Sequence, residues 1–250
     1  MIHTYAGDLR FFTVEEIARS LMVPPTSCTM RCISEAGGMT EIEAATALGG
    51  AVACGVVRAW VRRLAAQGEL DDEVVMYGSA CSGGADTVAA GLAAELGDRF
   101  WYMFCSERNR KRRRALWRGW GEAGLEEWRC HADAREGAAV SESPVHFWAL
   151  TANCNEYSGR NHHGSDDGAR ESLVDVYRCL DYVRTRTPGV VFVENVATQR
   201  VVGALSAMLG ALTRYTWEMC LHDAINVGGG PSARRRCVWV GRVRPEHRWW

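Results

Sequence analysis

One cysteine and one glutamate, far apart in this 250-residue sequence, each stand at the end of a short apolar run. Cys154 follows the run Val145–Leu150, and Glu194 ends the run Val190–Glu194. If the two runs are neighbouring parallel strands, both side chains reach the sheet edge where active sites of open α/β sheets gather. A thiolate beside a carboxylic acid can attack an electron-poor heteroaromatic ring while the ring is protonated. The alternative is that Cys154, one of ten cysteines, is a small buried apolar side chain.

A turn of small residues is a candidate ligand-binding segment. It joins an apolar run to a helical pattern that starts at Asp86, and it consists of Ser79, Ala80, Cys81, Ser82, Gly83 and Gly84. Small side chains let a ligand approach the backbone closely, and the start of a helix offers amide groups to a carboxylate. We therefore predict a cofactor at this turn, although a turn with no ligand has much the same composition.

Two acidic residues follow the next two apolar runs. Glu107 comes after Phe100–Cys105, and Asp133 comes after Trp128–His131. An acidic residue at the tip of the second strand can accept hydrogen bonds from both hydroxyls of a ribose, and Asp133 could accept one from an adenine amino group. Each carboxylate alone could equally be a solvated loop charge, but in this order they indicate the edge of a nucleoside site. The chain has no Gly-x-Gly-x-x-Gly pattern, which favours S-adenosylmethionine over NAD.

Seven short apolar runs alternate with helical patterns and would position these side chains. The predicted strands are Val74–Ser79, Phe100–Cys105, Trp128–His131, Val145–Leu150, Val190–Glu194, Tyr215–Leu221 and Cys237–Gly241. The predicted helices among them are Asp86–Leu96, Arg110–Trp120, Ser172–Arg184 and Arg200–Thr213. Such an alternation favours an α/β fold with a mainly parallel, doubly wound sheet and helices on both faces.

The residues before the first predicted strand show helical patterns. Thr13 and Glu16 form a capping-box pattern at the start of a first helix, which two prolines end. A polar stretch follows over Thr26–Thr40, and a second helix with one apolar face is predicted over Val52–Ala65. The polar segment Gln67–Asp72 is predicted to be a linker.

The composition limits the classes of protein that fit the sequence. Hydrophobic residues make up 47% and charged residues 24% of the chain, which is ordinary for a globular domain. The formal net charge is −1, so any nucleic-acid surface would have to be local. No signal peptide and no run of 18 apolar residues is apparent, which argues against a membrane and favours an intracellular location with reduced cysteines. Cys28 and Cys32 lack a second pair of similar spacing, so no metal site is expected.

Six segments, taken together, resemble the sequence blocks of the cytosine-5 methyltransferases. In chain order they are Ser79–Gly84, Cys105–Glu107, Asp133, Asn153–Ser158, Glu194–Val196 and Pro231–Arg236. The fourth is similar to the family's nucleophile loop, the fifth to its Glu-Asn-Val block and the sixth to its arginine block. The pattern is broken at Cys81, Asn153, Asn155 and Ser232, where the family has Phe, Pro, Gln and Gln.

The first part of the chain resembles blocks that the family carries at its C-terminal end. Leu9–Ala18 is similar to the ninth block, in the version found in tRNA-aspartate cytosine-5 methyltransferases, and Leu48–Val52 is similar to the tenth. The resemblance therefore implies a circularly permuted order within a single methyltransferase domain over residues 1–250. Residues 1–70 would supply the permuted blocks and residues 71–250 the cofactor-binding and catalytic core. This order leaves no separate target-recognition domain, so a recognition subunit is a further candidate partner.

The resemblance implies a Rossmann-like, S-adenosylmethionine-dependent methyltransferase that acts on carbon 5 of cytosine in DNA. Cys154 would add to carbon 6 of the base, and Glu194 would protonate nitrogen 3. Arg234 and Arg236 would lie near the base, whereas by themselves they could be a solvated basic turn. The expected location is nuclear in a eukaryote and cytoplasmic otherwise. Two alternatives stay open: a tRNA substrate, and a catalytically inactive binding module with the same fold.

Arg110–Arg114 is a run of five basic residues that lies outside the blocks described above. It could contact phosphates or act as a nuclear-import signal. A solvated helix face fits the run equally well, and the sequence does not decide among the three.

Overall fold

The computed structural model describes residues 2–3, 9–10, 12–34, 37–152, 166–223 and 235–248, with side chains from residue 12 onward except 166–172. Cys154 and Arg234 lie outside the described residues. The strands within them are β1 (Ile2–His3), β2 (Leu9–Arg10), β3 (Val75–Ala80), β4 (Phe100–Ser106), β5 (Cys130–His131), β6 (Phe147–Leu150), β7 (Val190–Val196), β8 (Tyr215–Asp223) and β9 (Arg235–Val243).

Strands β3 to β9 form one seven-stranded sheet in the order β5-β4-β3-β6-β7-β9-β8, and β1 pairs with β2 separately. The first five strands of that order run parallel to their neighbours, whereas β9 is antiparallel to both β7 and β8. The prediction of a mainly parallel sheet is therefore confirmed. The strand order reverses between β3 and β6, and ligands of open α/β sheets bind at the carboxyl ends of the strands beside such a switch point.

All seven predicted strands form. Only the third differs much from its prediction, because residues 127–129 form a 3₁₀ turn and β5 keeps two residues of the expected four. The central strands β3, β6, β7 and β9 are buried on both faces, as a sheet covered by helices requires, whereas the edge strand β8 is partly exposed along most of its length. Along β6, Phe147 and Ala149 belong to one core cluster, whereas Trp148 and Leu150 belong to the other. This alternation follows from the two-residue period of a strand.

The helices are α1 (Val14–Ser20), α2 (Cys28–Ile33), α3 (Glu41–Gly50), α4 (Cys54–Ala66), α5 (Thr87–Leu96), α6 (Arg110–Trp120), α7 (Gly137–Val140), α8 (Asp166–Cys179), α9 (Asp181–Arg186) and α10 (Gln199–Gly210). The helices predicted near α5, α6 and α10 form as expected. The single helix predicted over Ser172–Arg184 is wrong, because the chain breaks at Leu180 into α8 and α9. The break directs Tyr182 and Val183 into the core beneath the sheet.

The first helix begins with the predicted capping box. The Thr13 hydroxyl accepts a hydrogen bond from the Glu16 amide at 3.2 Å, and the Glu16 carboxylate accepts one from the Thr13 amide at 2.9 Å. The polar stretch over Thr26–Thr40 was not predicted to hold a helix, yet it contains α2. Helix α3 was also not predicted, although Thr40 and Glu43 form a second capping box of the same kind.

The segment Gln67–Asp72 is not a linker, so that prediction is wrong. Leu70 is fully buried, and the Arg99 guanidinium donates hydrogen bonds to the carbonyl groups of Leu70 at 3.0 Å and Asp72 at 3.2 Å. One apolar anchor and two backbone hydrogen bonds are enough to hold this polar segment against the sheet.

Helices α3 and α4 bring the N-terminal region to the switch point. The Thr87 hydroxyl, at the start of α5, donates a 2.6 Å hydrogen bond to the Val52 carbonyl between α3 and α4. Helix α4 packs closely on α5, since a methyl group at Gly91 would lie 2.6 Å from Val57. Within the described ranges, no single helix has the length and apolar composition to cross a membrane; α3 and α4, bent by 45° at their junction, pass that test only as a pair.

Candidate cofactor and active site

A cavity of about 380 Å³ lies at the switch point, beside the carboxyl ends of the parallel strands. Its volume is in the range of small-molecule sites. The predicted site residues that line it are Cys81, Ser82, Gly83, Glu107, Asp133 and Glu194. The N-terminal region also lines the cavity, with Thr46, Ala47, Gly50, Ala51 and Val52. The cavity therefore joins three parts of the predicted site: the small-residue turn, the acidic strand tips and the Glu194 carboxyl.

The turn after β3 has an irregular backbone that exposes its peptide groups. Cys81 and Gly83 have left-handed φ angles of 56° and 62°, and a Cβ atom at Gly83 would meet nothing within 4 Å. The Ser82 amide donates to the Ser106 carbonyl at 3.0 Å, which fixes the turn to the end of β4. Gly84 lies on the far side of the turn, where a Cβ atom would be 2.3 Å from Met39. Gly83 thus leaves one face of the turn open, and Gly84 allows close packing against Met39 on the other.

Asp86 holds this turn from beneath, a role that the sequence did not predict. Its carboxylate accepts hydrogen bonds from the Tyr77 hydroxyl at 3.0 Å, the Ser79 hydroxyl at 2.9 Å and the Tyr102 hydroxyl. It also accepts one from the Ala89 amide at 3.0 Å, which caps α5. Burial raises the pKa of this carboxyl group above its ordinary value, against the lowering effect of the four donors. Asp86 lines the cavity but is 5% exposed.

The tip of β4 presents one free donor and one partly used acceptor to the cavity. The Ser106 hydroxyl is buried and, among the described residues, has no hydrogen-bond partner. A buried polar group without a partner is costly, so such a group at a cavity wall fits a missing ligand. One oxygen of the Glu107 carboxylate accepts from the Asn109 amide at 2.8 Å, which fixes the side chain at the rim.

Asp133 lies at the same rim, where two arginines surround it. Arg135 donates to it from its backbone amide at 3.0 Å and from its guanidinium at 2.8 Å, and Arg108 lies 3.3 Å away. The hydrogen bonds from Arg135 are the main reason that the pKa of Asp133 falls to about 2. Both arginines also contact Asp175 of α8. With a second guanidinium bond from Arg135, the four acceptor positions of Asp133 are occupied. An adenine amino group would have to displace one donor, and Arg108 makes the longest bond.

Glu194 forms the opposite end of the cavity. Its carboxylate oxygen lies 2.7 Å from the Arg236 guanidinium on β9, and the two side chains are only 5% and 10% exposed. The register of β7 on β9 brings them together, because Glu194 pairs with Val238 and Val196 with Arg236. The sheet therefore holds a carboxyl group and its counter-ion at the cavity wall. Arg236 itself lies behind this wall and does not line it.

The chain that leaves β6 runs along the cavity toward the predicted nucleophile. The Thr151 hydroxyl donates to the Cys81 carbonyl at 3.0 Å, and Thr151 and Ala152 line the cavity. The predictions for Cys154 and Arg234 are not tested, because both fall outside the described residues. On this segment, Ala152 is the last described residue that lines the cavity.

The described cysteines are free thiols, and several have raised pKa values. Burial raises the pKa of Cys54 to about 11 and that of Cys237 to about 12. A hydrogen bond to Cys81, reinforced by burial, raises that of Cys179. The same direction holds for Cys32, Cys105 and Cys220. Because a thiolate is the nucleophilic form, these six are poor nucleophiles near neutral pH. In the part of the chain described, no group of three or more His, Cys, Asp or Glu residues could hold a metal ion.

No protein-family model matches the sequence, and no curated protein matches it. Among solved structures, a protein from Listeria monocytogenes described as a class I S-adenosylmethionine-dependent methyltransferase is similar, with a TM-score of 0.53 and 11% identity. The similarity covers 96% of this chain and 72% of that one. It shows that the chain has the Rossmann-like class I methyltransferase fold, and the matched region includes most of the N-terminal helices.

Two further structures are similar over part of their length. One is a DNA modification methyltransferase, so described, from an E. coli prophage, with a TM-score of 0.49, 15% identity and coverage of 68% of this chain and 47% of that one. The other is the Dnmt2 methyltransferase of S. pombe, with a TM-score of 0.45, 14% identity and coverage of 70% and 53%. This chain spans about half the length of those two proteins.

Proposed function

We propose that this chain is an S-adenosylmethionine-dependent methyltransferase that acts on carbon 5 of cytosine in DNA. One observation carries the proposal: a single cavity at the switch point is lined by the small-residue turn, by Glu107 and Asp133, and by Glu194. The fold supplies the cofactor class, and the buried acid at the far end supplies a proton donor for a base. Neither feature alone would favour cytosine.

The residues at the cofactor end fit S-adenosylmethionine by their chemistry. The exposed peptide groups of the turn suit a carboxylate, and Glu107 suits a pair of ribose hydroxyls. The partnerless Ser106 hydroxyl adds a buried donor at the same wall. Asp133 would orient the adenine edge after Arg108 gives way. When bound, the cofactor supplies an electrophilic methyl group, which no side chain of the protein can provide.

The other end of the cavity fits a cytosine ring. A base flipped out of its stack would place its Watson–Crick edge against Glu194. Because the ion pair with Arg236 favours the carboxylate, Glu194 would first take up a proton from solvent and then share it with nitrogen 3 of the base. Arg236 would fix the orientation of Glu194 through the 2.7 Å ion pair. The Cys154 thiolate would add to carbon 6, and the electron pair of the 5,6 double bond would take up the methyl group at carbon 5. Loss of the carbon 5 proton to solvent would then re-form that double bond and release the thiolate. Arg234 would lie near the same base.

The N-terminal region has a defined place in this proposal. Thr46, Gly50 and Val52 line the cavity, and the Val52 carbonyl accepts the hydrogen bond from Thr87 just after the turn. This position suits the tenth block of the cytosine-5 methyltransferases, and we propose that residues 1–70 are permuted C-terminal blocks of one domain.

Methyl transfer from labelled S-adenosylmethionine to duplex DNA and to tRNA tests the proposal. We expect label in DNA, and a Glu194→Gln loss of 10²–10⁴-fold in rate, about the contribution of a general acid. Binding of S-adenosylmethionine, measured by calorimetry, should be unchanged. Glu142→Gln is the matched control, because Glu142 is equally buried and lies 2.9 Å from His131 away from the cavity.

The same assay separates the other readings of the molecule. Label in tRNA alone would replace DNA by RNA as the substrate. Cofactor binding without transfer to either nucleic acid would indicate an inactive binding module. That reading is suggested by Asn153 and Asn155, which stand where the family has Pro and Gln. Equal losses in Glu194→Gln and Glu142→Gln would contradict a proton-donating role for Glu194.

A further inference from the structure

Helix α6 concentrates positive charge on a chain that is neutral as a whole. Its 11 residues include Arg110, Lys111, Arg112, Arg113, Arg114 and Arg118 and no acidic residue. The formal net charge of the entire chain is −1. The site described above uses only the edge of this helix, where Arg112 lines the cavity.

The basic side chains on the inner faces of α6 have partners. The Lys111 ammonium lies 2.6 Å from the Glu43 carboxylate of α3. The Arg113 guanidinium donates to the Glu107 carbonyl at 2.6 Å, and so fixes the loop that carries Glu107. These residues have structural roles, and they need no further ligand.

The outer face is different, and we call Arg110, Arg114 and Arg118 the arginine stripe. All three are exposed and follow one another at four-residue spacing, so they lie about 6 Å apart along one side of the helix. Across the described chain, none of the three forms an ion pair or a side-chain hydrogen bond. The stripe is therefore a row of unneutralised guanidinium groups.

This arrangement opposes the local stability of the helix. Like charges four residues apart destabilise a helix. Cations in the first turn also oppose the helix dipole, and that turn has no acidic residue. An ordinary solvated helix face mixes both signs of charge, whereas this one would be relieved by a polyanion.

We propose that the arginine stripe binds the sugar–phosphate backbone of the nucleic acid whose base enters the cavity. This inference rests on the proposed function. Arg112 of the same helix and Arg108 line the cavity, so the stripe lies on a helix that borders the cavity at its cofactor end. The planar fork of arginine matches phosphate oxygens, and counterion release supplies binding free energy without sequence readout. The stripe thus supplies affinity for the phosphate backbone that does not depend on sequence readout.

The salt dependence of binding to a fluorescent duplex oligonucleotide tests the stripe. A variant with Arg110→Ala, Arg114→Ala and Arg118→Ala should lower the slope of log K against log salt by about 2–3, since each phosphate contact contributes about 0.9. The corresponding triple Arg→Lys variant should keep most of the slope. The matched control carries Arg19→Ala, Arg178→Ala and Arg244→Ala, which remove the same charge from three separate elements and should change the slope little.

Binding is measured without turnover, so the stripe and the proposed function can fail separately. A reduced slope in the stripe variant, with no methyl transfer by any protein including the wild type, would support binding by the stripe and contradict the proposed methyltransferase activity. Equal slopes in the stripe variant and the control would overturn the stripe, as would binding of the wild type to phosphatidylserine vesicles and not to DNA. Cofactor affinity should be the same in all variants. If the triple variant fails to fold, each single variant should still lower the slope by about 0.9.

Discussion

Two carboxylates border the same cavity, and their surroundings are opposite. Asp86 is 5% exposed and is surrounded by the hydroxyl groups of Tyr77, Ser79 and Tyr102, with no cation beside it. Asp133 is partly exposed and is held by the guanidinium groups of Arg135 and Arg108. Burial raises the pKa of Asp86, whereas the arginines lower that of Asp133 to about 2.

The difference shows that the cavity has a rigid side and an adjustable side. The Asp86 network is closed, because every acceptor position faces a donor of the protein and water is excluded. The Asp133 cluster is a surface network, in which Arg108 is 60% exposed and can leave at little cost. The Asp86 network therefore supports the turn, which must keep its shape. The Asp133 cluster forms the rim, which must admit a nucleoside.

Removal of each carboxyl group should separate the two sides most strongly. We expect Asp86→Ala to lower the free energy of unfolding by about 3–5 kcal/mol, since three buried hydroxyls and a helix amide lose the acceptor that they share. Asp133→Ala should cost about 2 kcal/mol, the free energy to which its lowered pKa corresponds, because its partners can turn to water. Urea unfolding measures both values. Similar losses in the two variants would contradict the contrast.

The pH dependence of stability should differ in sign between the two groups. Since the folded pKa of Asp133 is about 2, against 3.8 ordinarily, its pairing stabilises the protein above pH 3.8 and is lost as the pH falls toward 2. The loss should be about 2 kcal/mol, at 1.36 kcal/mol per unit. Asp133→Asn should therefore flatten the acid limb of a stability curve.

Asp86 should act in the opposite direction. Because its folded pKa is raised above 3.8, its contribution is complete below pH 3.8 and declines as the pH rises through the folded value. Wild type should lose stability relative to Asp86→Asn over that interval. A gain with rising pH would show that the hydroxyl donors outweigh burial.

The smallest effect concerns one donor of the closed network. Tyr102→Phe should cost about 1–2 kcal/mol, because the Asp86 carboxylate loses one hydroxyl and gains none. Tyr177→Phe is the control, since Tyr177 is 51% exposed and its loss of a hydroxyl should change little. The melting temperatures of both variants measure how much the Tyr102 hydroxyl contributes through its hydrogen bond to Asp86. Equal shifts in melting temperature would argue against that contribution.

The sequence predicted the sheet better than it predicted the surroundings of these carboxylates. Strand positions are local, since each buried strand is one apolar run bounded by polar residues. Helix α3 was missed because its apolar side chains are small and Ile42 is 80% exposed, although the Thr40 capping box was a usable signal. The break between α8 and α9 depends on burial of Tyr182, which is a tertiary contact.

The site shows the same division between local and tertiary information. The sequence predicted one shared edge for Glu107, Asp133 and Glu194, which line one cavity, because each stands at the carboxyl end of a strand and parallel strands end at one edge. Asp86 follows the glycine pair and was assigned only to the start of a helix. Its role depends on Tyr102, which comes from the neighbouring strand β4. The pairing of Arg135 with Asp175 joins residues 40 positions apart and leaves no local pattern.

The central claim is that the Cys154 thiol and the Glu194 carboxyl act on one cytosine in this cavity. Duplex DNA that contains 5-fluorocytosine tests it directly, because fluorine cannot leave carbon 5 as a cation and the bond to the protein persists. In the presence of S-adenosylmethionine, we expect a denaturation-resistant protein–DNA complex in wild type and in Cys220→Ala. The complex should be absent in Cys154→Ala and strongly reduced in Glu194→Gln. A wild type that forms no complex, or a complex that survives Cys154→Ala, would contradict the claim.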